Sequence, residues 1–137
     1  MGTAMQTTRV LLVEDNDLIR AGVRQLLSRA PEFEIVAEAK NGREGVDLTI
    51  SLKPDVVLMD LRMPEVDGAS ASRCILAAQP DVKIVMVTSD DSAHAERLAK
   101  SVGAVAMVTK DECATALIPK LRSVVGGDPA NVAPAAE

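Results

Sequence analysis

Four short apolar runs recur along the chain: Val10-Leu11-Leu12-Val13, Val56-Val57-Leu58-Met59, Ile84-Val85-Met86-Val87 and Val105-Ala106-Met107-Val108. A weaker run, Ile35-Val36-Ala37, lies between the first two. None alternates with polar residues and β-branched side chains are frequent, the pattern of strands buried on both faces of a parallel sheet. Between the runs the spacing becomes helical. Ile19, Val23, Leu26, Leu27 and Ala30 form a stripe after a cap at Asn16 or Asp17. Ala95, Leu98, Ala99 and Val102 repeat that spacing, entered through Asp90-Asp91-Ser92. Leu117, Ile118, Leu121, Val124 and Val125 close the series before Gly126-Gly127. Strand and helix thus alternate five times, which predicts an α/β fold whose right-handed crossovers put helices on both faces of the sheet. Pro119 falls inside the last stripe, where its ring would clash with the preceding turn, so that helix is expected to begin near Thr115 or to kink.

Composition narrows the picture. The 137 residues suit one domain, and with Phe33 as the single aromatic the core must be built from Val, Leu, Ile, Met and Ala. A net charge of −5 argues against a surface made for nucleic acid or an anionic membrane, although a local basic patch remains compatible with it. Cys74 and Cys113 have neither CxxC nor zinc-ligand spacing and are read as reduced packing residues of a cytoplasmic protein. No signal-peptide pattern opens the sequence and no apolar run is long enough to span a bilayer. Residues 1–8 are expected to be an N-terminal extension and 9–126 one domain. Residues 127–137, rich in Pro and Ala, are expected to be a disordered tail or a linker stub.

Candidate chemistry collects at one end of the predicted strands. Glu14 and Asp15 follow the first run, Asp60 the third strand, Thr88 the fourth, and Lys110 comes just after the fifth. In a parallel sheet these positions share the carboxyl edge, where open α/β folds bind ligands at the switch in strand order. Clustered carboxylates repel one another unless a cation sits among them. An all-oxygen set suits a hard ion such as Mg2+, which keeps several waters and can share a phosphate oxygen. A carboxylate beside such an ion can accept a phosphoryl group, with Lys110 as a point charge and Thr88 as a hydrogen-bond donor to the phosphoryl oxygens. Any one of these polar strand ends alone is unremarkable; the joint set is the informative pattern. His94 has no acid–base partner in sequence and receives no catalytic role.

The same residues carry a family resemblance. Val10 to Asn16 (VLLVEDN) resembles the acidic-pair motif of response-regulator receiver domains, and Val56 to Gly68 (VVLMDLRMPEVDG) resembles their phosphoacceptor motif. Val85 to Ser89 matches the hydroxyl motif of the fourth strand, and Gly103-Ala104 through Lys110-Asp111 the lysine motif, so the likeness runs from about Arg9 to Gly126. The resemblance implies a doubly wound, five-stranded parallel sheet of flavodoxin-like order 2-1-3-4-5. It implies that Asp60 accepts a phosphoryl group from a histidine kinase or phosphotransfer protein. Mg2+ (or Mn2+) would be held by Asp15, Asp60 and the backbone carbonyl of Arg62, with Glu14 acting through water. Thr88 and Lys110 would respond to the phosphate. There are departures. Glu14 stands where many members carry Asp, and Ala106 where Gly is common. Met107 replaces the usual Tyr or Phe of the switch. Lys110 is followed by Asp111 and not by Pro, so no cis peptide is expected there. Arg62 and Asp90, each two residues beyond a site residue, could pair and lengthen the phosphorylated lifetime.

Three readings compete. One is a two-component switch whose output is protein–protein contact through the fourth helix, fifth strand and last helix, with phosphorylation-dependent dimerisation as an option. Another is the N-terminal receiver part of a DNA-binding transcription factor; the resemblance is closest to members with helix-turn-helix outputs, while these 137 residues contain nothing that reads DNA. The last is an aspartyl-phosphate hydrolase with a DxD-like Asp15/Asp17 pair, which lacks the Thr or Val expected two residues further on. In the first two the chain is a phosphoacceptor that assists its own phosphorylation and dephosphorylation, not an enzyme acting on a separate substrate.

Overall fold

The computed structural model describes residues 7–63 and 67–126. The N-terminal extension apart from its last two residues, and the whole expected tail, lie outside the described residues. The order is β1 (Thr8–Val13), α1 (Asp17–Leu27), β2 (Phe33–Ala39), α2 (Gly42–Leu52), β3 (Val56–Asp60), α3 (Gly68–Ala78), β4 (Lys83–Thr88), α4 (Ala93–Ser101), β5 (Ala106–Thr109) and α5 (Cys113–Gly126). The five strands are parallel in the order β2-β1-β3-β4-β5. Thr8, the last residue of the expected extension, pairs with Phe33. The register of β1 on β2 slips after Val10, where Val36 is the extra residue on the edge strand.

The non-alternating runs are explained by the two faces they serve. Val10 and Leu12 of β1, Val56 and Leu58 of β3, and Val85 and Val87 of β4 pack with α1 (Val23, Leu27) and α5 (Leu117, Leu121). Their neighbours Leu11, Val13, Val57, Met59, Ile84 and Met86 pack on the other side with α3 (Ala69, Ala71, Ile75) and α4 (Ala95, Ala99). Each of these strand residues therefore lies in one of two apolar layers, and a polar residue at any of them would be left without water.

Side chains cap the helices at the carboxyl edge. Asn16 accepts from Ile19 N at 3.0 Å, Asn41 from Glu44 N at 2.9 Å, Asp67 from Ser70 N at 2.8 Å and Ser92 from Ala95 N at 3.1 Å. These caps fix where each strand-to-helix loop turns, and those loops carry the site.

Two expectations need correction. The last helix does not start near Thr115 but at Cys113, continuing a short 3-10 turn over Lys110–Glu112. Pro119 lies well inside the helix on its exposed side, so the Thr115 carbonyl left without a donor is within reach of water. Cys74 is exposed and not a packing residue, whereas Cys113 is half-buried; both are free thiols. The Lys110–Asp111 bond is trans, as are the other described peptide bonds.

Candidate functional site

The strand order reverses between β1 and β3, and the carboxyl ends of these two neighbours hold the acids. Glu14 directly follows β1 and Asp60 is the last residue of β3; both are buried, at 2% and 4% exposure, while Asp15 is exposed. One oxygen from each of the three carboxylates lies within 4.8 Å of the others. Lys110, the first residue beyond β5, reaches across: its Nζ is 3.1 Å from Glu14 Oε1 and 3.3 Å from Asp60 Oδ2. One ammonium thus bridges the two buried acids. The other oxygens are held by main chain, Glu14 Oε2 accepting from Asn16 N at 3.0 Å and Asp60 Oδ1 from Arg62 N at 3.3 Å.

Burial pushes the Glu14 carboxyl up to about 7, with the Asp60 charge adding to the effect and the Asn16 amide and Lys110 opposing it. Burial also raises Asp60, against the pull of Lys110. For Lys110, burial alone would lower the pKa, but its hydrogen bond to Glu14 and the charges of Asp60 and Glu14 outweigh that and hold the ammonium above its ordinary value. Two buried carboxyl groups face one ammonium in a poorly hydrated place. The electrostatic deficit is one that a hard divalent cation would fill, and the donors are all oxygens, as such an ion prefers.

The remaining candidates divide between this edge and its surroundings. Thr88, the last residue of β4, is buried, and its Oγ1 accepts from Asp90 N at 3.1 Å. A hydroxyl that accepts still has its own proton to donate. Arg62 Nη2 lies 2.6 Å from Asp90 Oδ2, beside the acids. That guanidinium, with the Ser92 hydroxyl and amide, holds the Asp90 carboxyl well below the usual carboxylate range. Met107 is not brought to the acids. On β5 it pairs with Met86 of β4 and lines a groove of about 340 Å³ with Glu96, Lys100, Val105, Lys120 and Val124, between α4 and α5. Asp17 is exposed, paired with Arg20 at 2.6 Å and not among the clustered acids, which weighs against the hydrolase reading.

Two neighbours were not singled out from the sequence. Glu112 Oε1 accepts from Thr109 N at 3.2 Å as half of a capping box that starts the 3-10 turn carrying Lys110. The Thr-x-x-Glu spacing was a legible signal. Arg20 donates to the Glu14 carbonyl at 2.9 Å, and no spacing rule points to that contact.

The family of response regulator receiver domains matches residues 10–122. The chain belongs to that family. It is 36% identical over 120 residues to the transcriptional regulatory protein DegU of Brevibacillus brevis, covering 87% of this chain and 50% of that protein. It is 37% identical over 120 residues to the response regulator GacA of Pseudomonas aeruginosa, covering 87% of this chain and 56% of that protein. The chain therefore spans about half the length of these curated relatives. Among solved structures, the response regulator domain of Thermotoga maritima CheB superposes with a TM-score of 0.82 at 31% identity, covering 90% of this chain and 100% of that chain. A LuxR-family two-component response regulator from Aurantimonas sp. SI85-9A1 gives 0.85 at 31% identity, covering 89% and 87%. No described helix is long and apolar enough to cross a membrane.

Proposed function

We propose that this chain is the phosphorylation switch of a two-component system, with Asp60 as the phosphoacceptor. The observation that carries the reading is the Lys110 ammonium bridging Asp60 and Glu14, both buried, at the carboxyl edge of the sheet. An Asp60 oxygen attacks the phosphorus of a phosphohistidine on a kinase or phosphotransfer protein; the P–N bond breaks and its electron pair leaves on the imidazole. Asp15, Asp60 and the Arg62 carbonyl, with Glu14 through water, would hold Mg2+ or Mn2+, which would neutralise charge on the transferring group. Lys110 then releases part of its hold on Asp60 and pairs with a phosphoryl oxygen, and the Thr88 hydroxyl donates to another.

The signal is the difference between these contacts and the resting ones. Thr88 and Lys110 terminate β4 and follow β5, so their movement is felt along α4, β5 and α5, including Met107 in its groove. A phosphorylation-dependent homodimer or another protein would read that face. The chain itself is a phosphoacceptor that assists its own phosphorylation and dephosphorylation. A cytoplasmic setting agrees with two free thiols.

A second reading narrows the first. The matched relatives include a transcriptional regulatory protein about twice the length of the aligned segment, which supports a DNA-binding output joined beyond residue 126. The test of the primary reading is the intact mass after incubation with acetyl phosphate and Mg2+. A single metal-dependent phosphoryl adduct, absent in Asp60→Asn, is expected. An adduct that persists in Asp60→Asn contradicts the assignment.

A further inference from the structure

Arg20 touches none of the three clustered carboxylates, yet it is fastened to the chain between two of them. Its side chain is 11% exposed, and each guanidinium nitrogen has a different partner. Nη1 donates to the Glu14 carbonyl at 2.9 Å, Nη2 to Asp17 Oδ1 at 2.6 Å and Nε to Glu38 Oε1 at 3.1 Å. The end of β1, the first turn of α1 and the edge strand β2 are therefore tied to one rigid plane. Glu38 is itself held from a second side, its Oε2 accepting from Arg24 Nε at 3.1 Å.

The carbonyl that Arg20 grips belongs to the peptide linking Glu14 to Asp15. The Glu14 amide on the other side is fixed by Ala39 O at 3.0 Å. The plane of the Glu14–Asp15 link is thus set from outside the acidic cluster. Asp15 is exposed, so the point from which its carboxylate reaches the cluster is set by that main chain. Surface ion pairs are usually worth little, but a mostly buried guanidinium with every nitrogen engaged loses little freedom by holding its partners.

We propose that Arg20 is a positioning residue for the divalent-cation site, acting through the Glu14 carbonyl to aim Glu14 and Asp15 at the ion. The inference rests on the Mg2+ reading above. Its role is orientation of oxygen donors that it does not contact, as outer partners orient the ligands of other metal centres.

The test is a Mg2+ titration of the whole chain, read from backbone amide shifts of Asp15, Asn16 and Asp60, beside urea unfolding in chelator. Arg20→Met keeps an apolar stem and removes all three donors. It is expected to raise the half-saturating Mg2+ concentration about tenfold, with phosphorylation by acetyl phosphate recovering once Mg2+ is saturating. Arg20→Lys, which keeps the charge but cannot serve three directions at once, should fall between the two. A variant that loses metal-free stability but titrates as the parent overturns the proposal, leaving Arg20 a structural tie. If Arg20→Met does not fold, Arg20→Lys decides: a raised half-saturation supports the proposal and an unchanged one overturns it. Absence of any Mg2+ response in the unaltered chain would overturn the metal reading, and this inference with it.

Discussion

Replacing Glu14 with Gln should stabilise the metal-free protein above neutral pH. The Glu14 carboxyl is moved from 4.5 to about 7, chiefly by burial. At about 1.4 kcal/mol per pH unit, ionising it in the folded protein costs ~3 kcal/mol more than in the unfolded chain. Since the folded pKa lies above the unfolded one, the folded protein holds more protons between pH 4.5 and about 7. Stability therefore falls as pH rises across that window, and the full cost is present above it. Asp60, also raised, acts in the same direction. Gln keeps the oxygen that accepts from Asn16 and carries no charge to desolvate; its amide nitrogen gives up the bond from Lys110, which retains Asp60. The assay is urea unfolding in chelator at about pH 5 and pH 8, followed by far-ultraviolet circular dichroism because the chain has no Trp or Tyr. The parent should lose about 2–3 kcal/mol between the two conditions, and Glu14→Gln should retain most of it. Saturating Mg2+ should reverse the order at high pH, since an ion bound to the folded state stabilises the parent by mass action and the variant less. A parent equally stable at both pH values, or a Gln variant weaker than the parent at pH 8 without metal, would refute the reasoning.

Other substitutions probe separate parts of the structure. A β-carbon at Gly68 would overlap the Asp60 carbonyl oxygen and the Leu61 Cα, so Gly68→Ala should cost about 1–3 kcal/mol or more in urea unfolding and slow phosphorylation by displacing Asp60. If the Arg62–Asp90 pair, closed at 2.6 Å, obstructs the attacking water, Asp90→Ala should shorten the phosphorylated lifetime severalfold. An unchanged rate of phosphate loss would leave the pair without that role. Pro119→Ala, on the exposed side of α5, should stabilise by about 1–3 kcal/mol by restoring a helix hydrogen bond, measured as a higher thermal midpoint.

The strands with two buried faces were the legible part of the fold, because β1, β3 and β4 give an apolar residue to each layer at every step. The edge strand β2 was faint, since Glu34 is exposed and Glu38 half-buried within it. α2 and α3 were not legible as stripes. α2 buries Gly42, Gly45 and Thr49, and α3 buries Ala69, Ala71 and Ser72 beside Ile75, so small residues replace the apolar face that periodicity detects. Gly45 in particular has Val13 methyl carbons where its own side chain would stand. Pro119 misled in the other direction: helix start was expected from its local cost, but the burial of Leu117 and Leu121 outweighs one lost bond. At the site, the acids and Lys110 were legible because their types and strand-end positions coincide. Arg20 was not, since a charged residue near the start of a helix reads as solvated, and its main-chain partner leaves no trace in side-chain pattern.

The measurement that bears most directly on the switch is chemical location of the phosphoryl group. Borohydride reduction of the acetyl phosphate-treated protein converts an aspartyl phosphate into homoserine, which peptide mass mapping assigns to a residue. Conversion at Asp60 alone, dependent on Mg2+, is the predicted result. Conversion at Asp15 or at another acid with Asp60 intact, or no conversion in a protein that binds Mg2+, would contradict it.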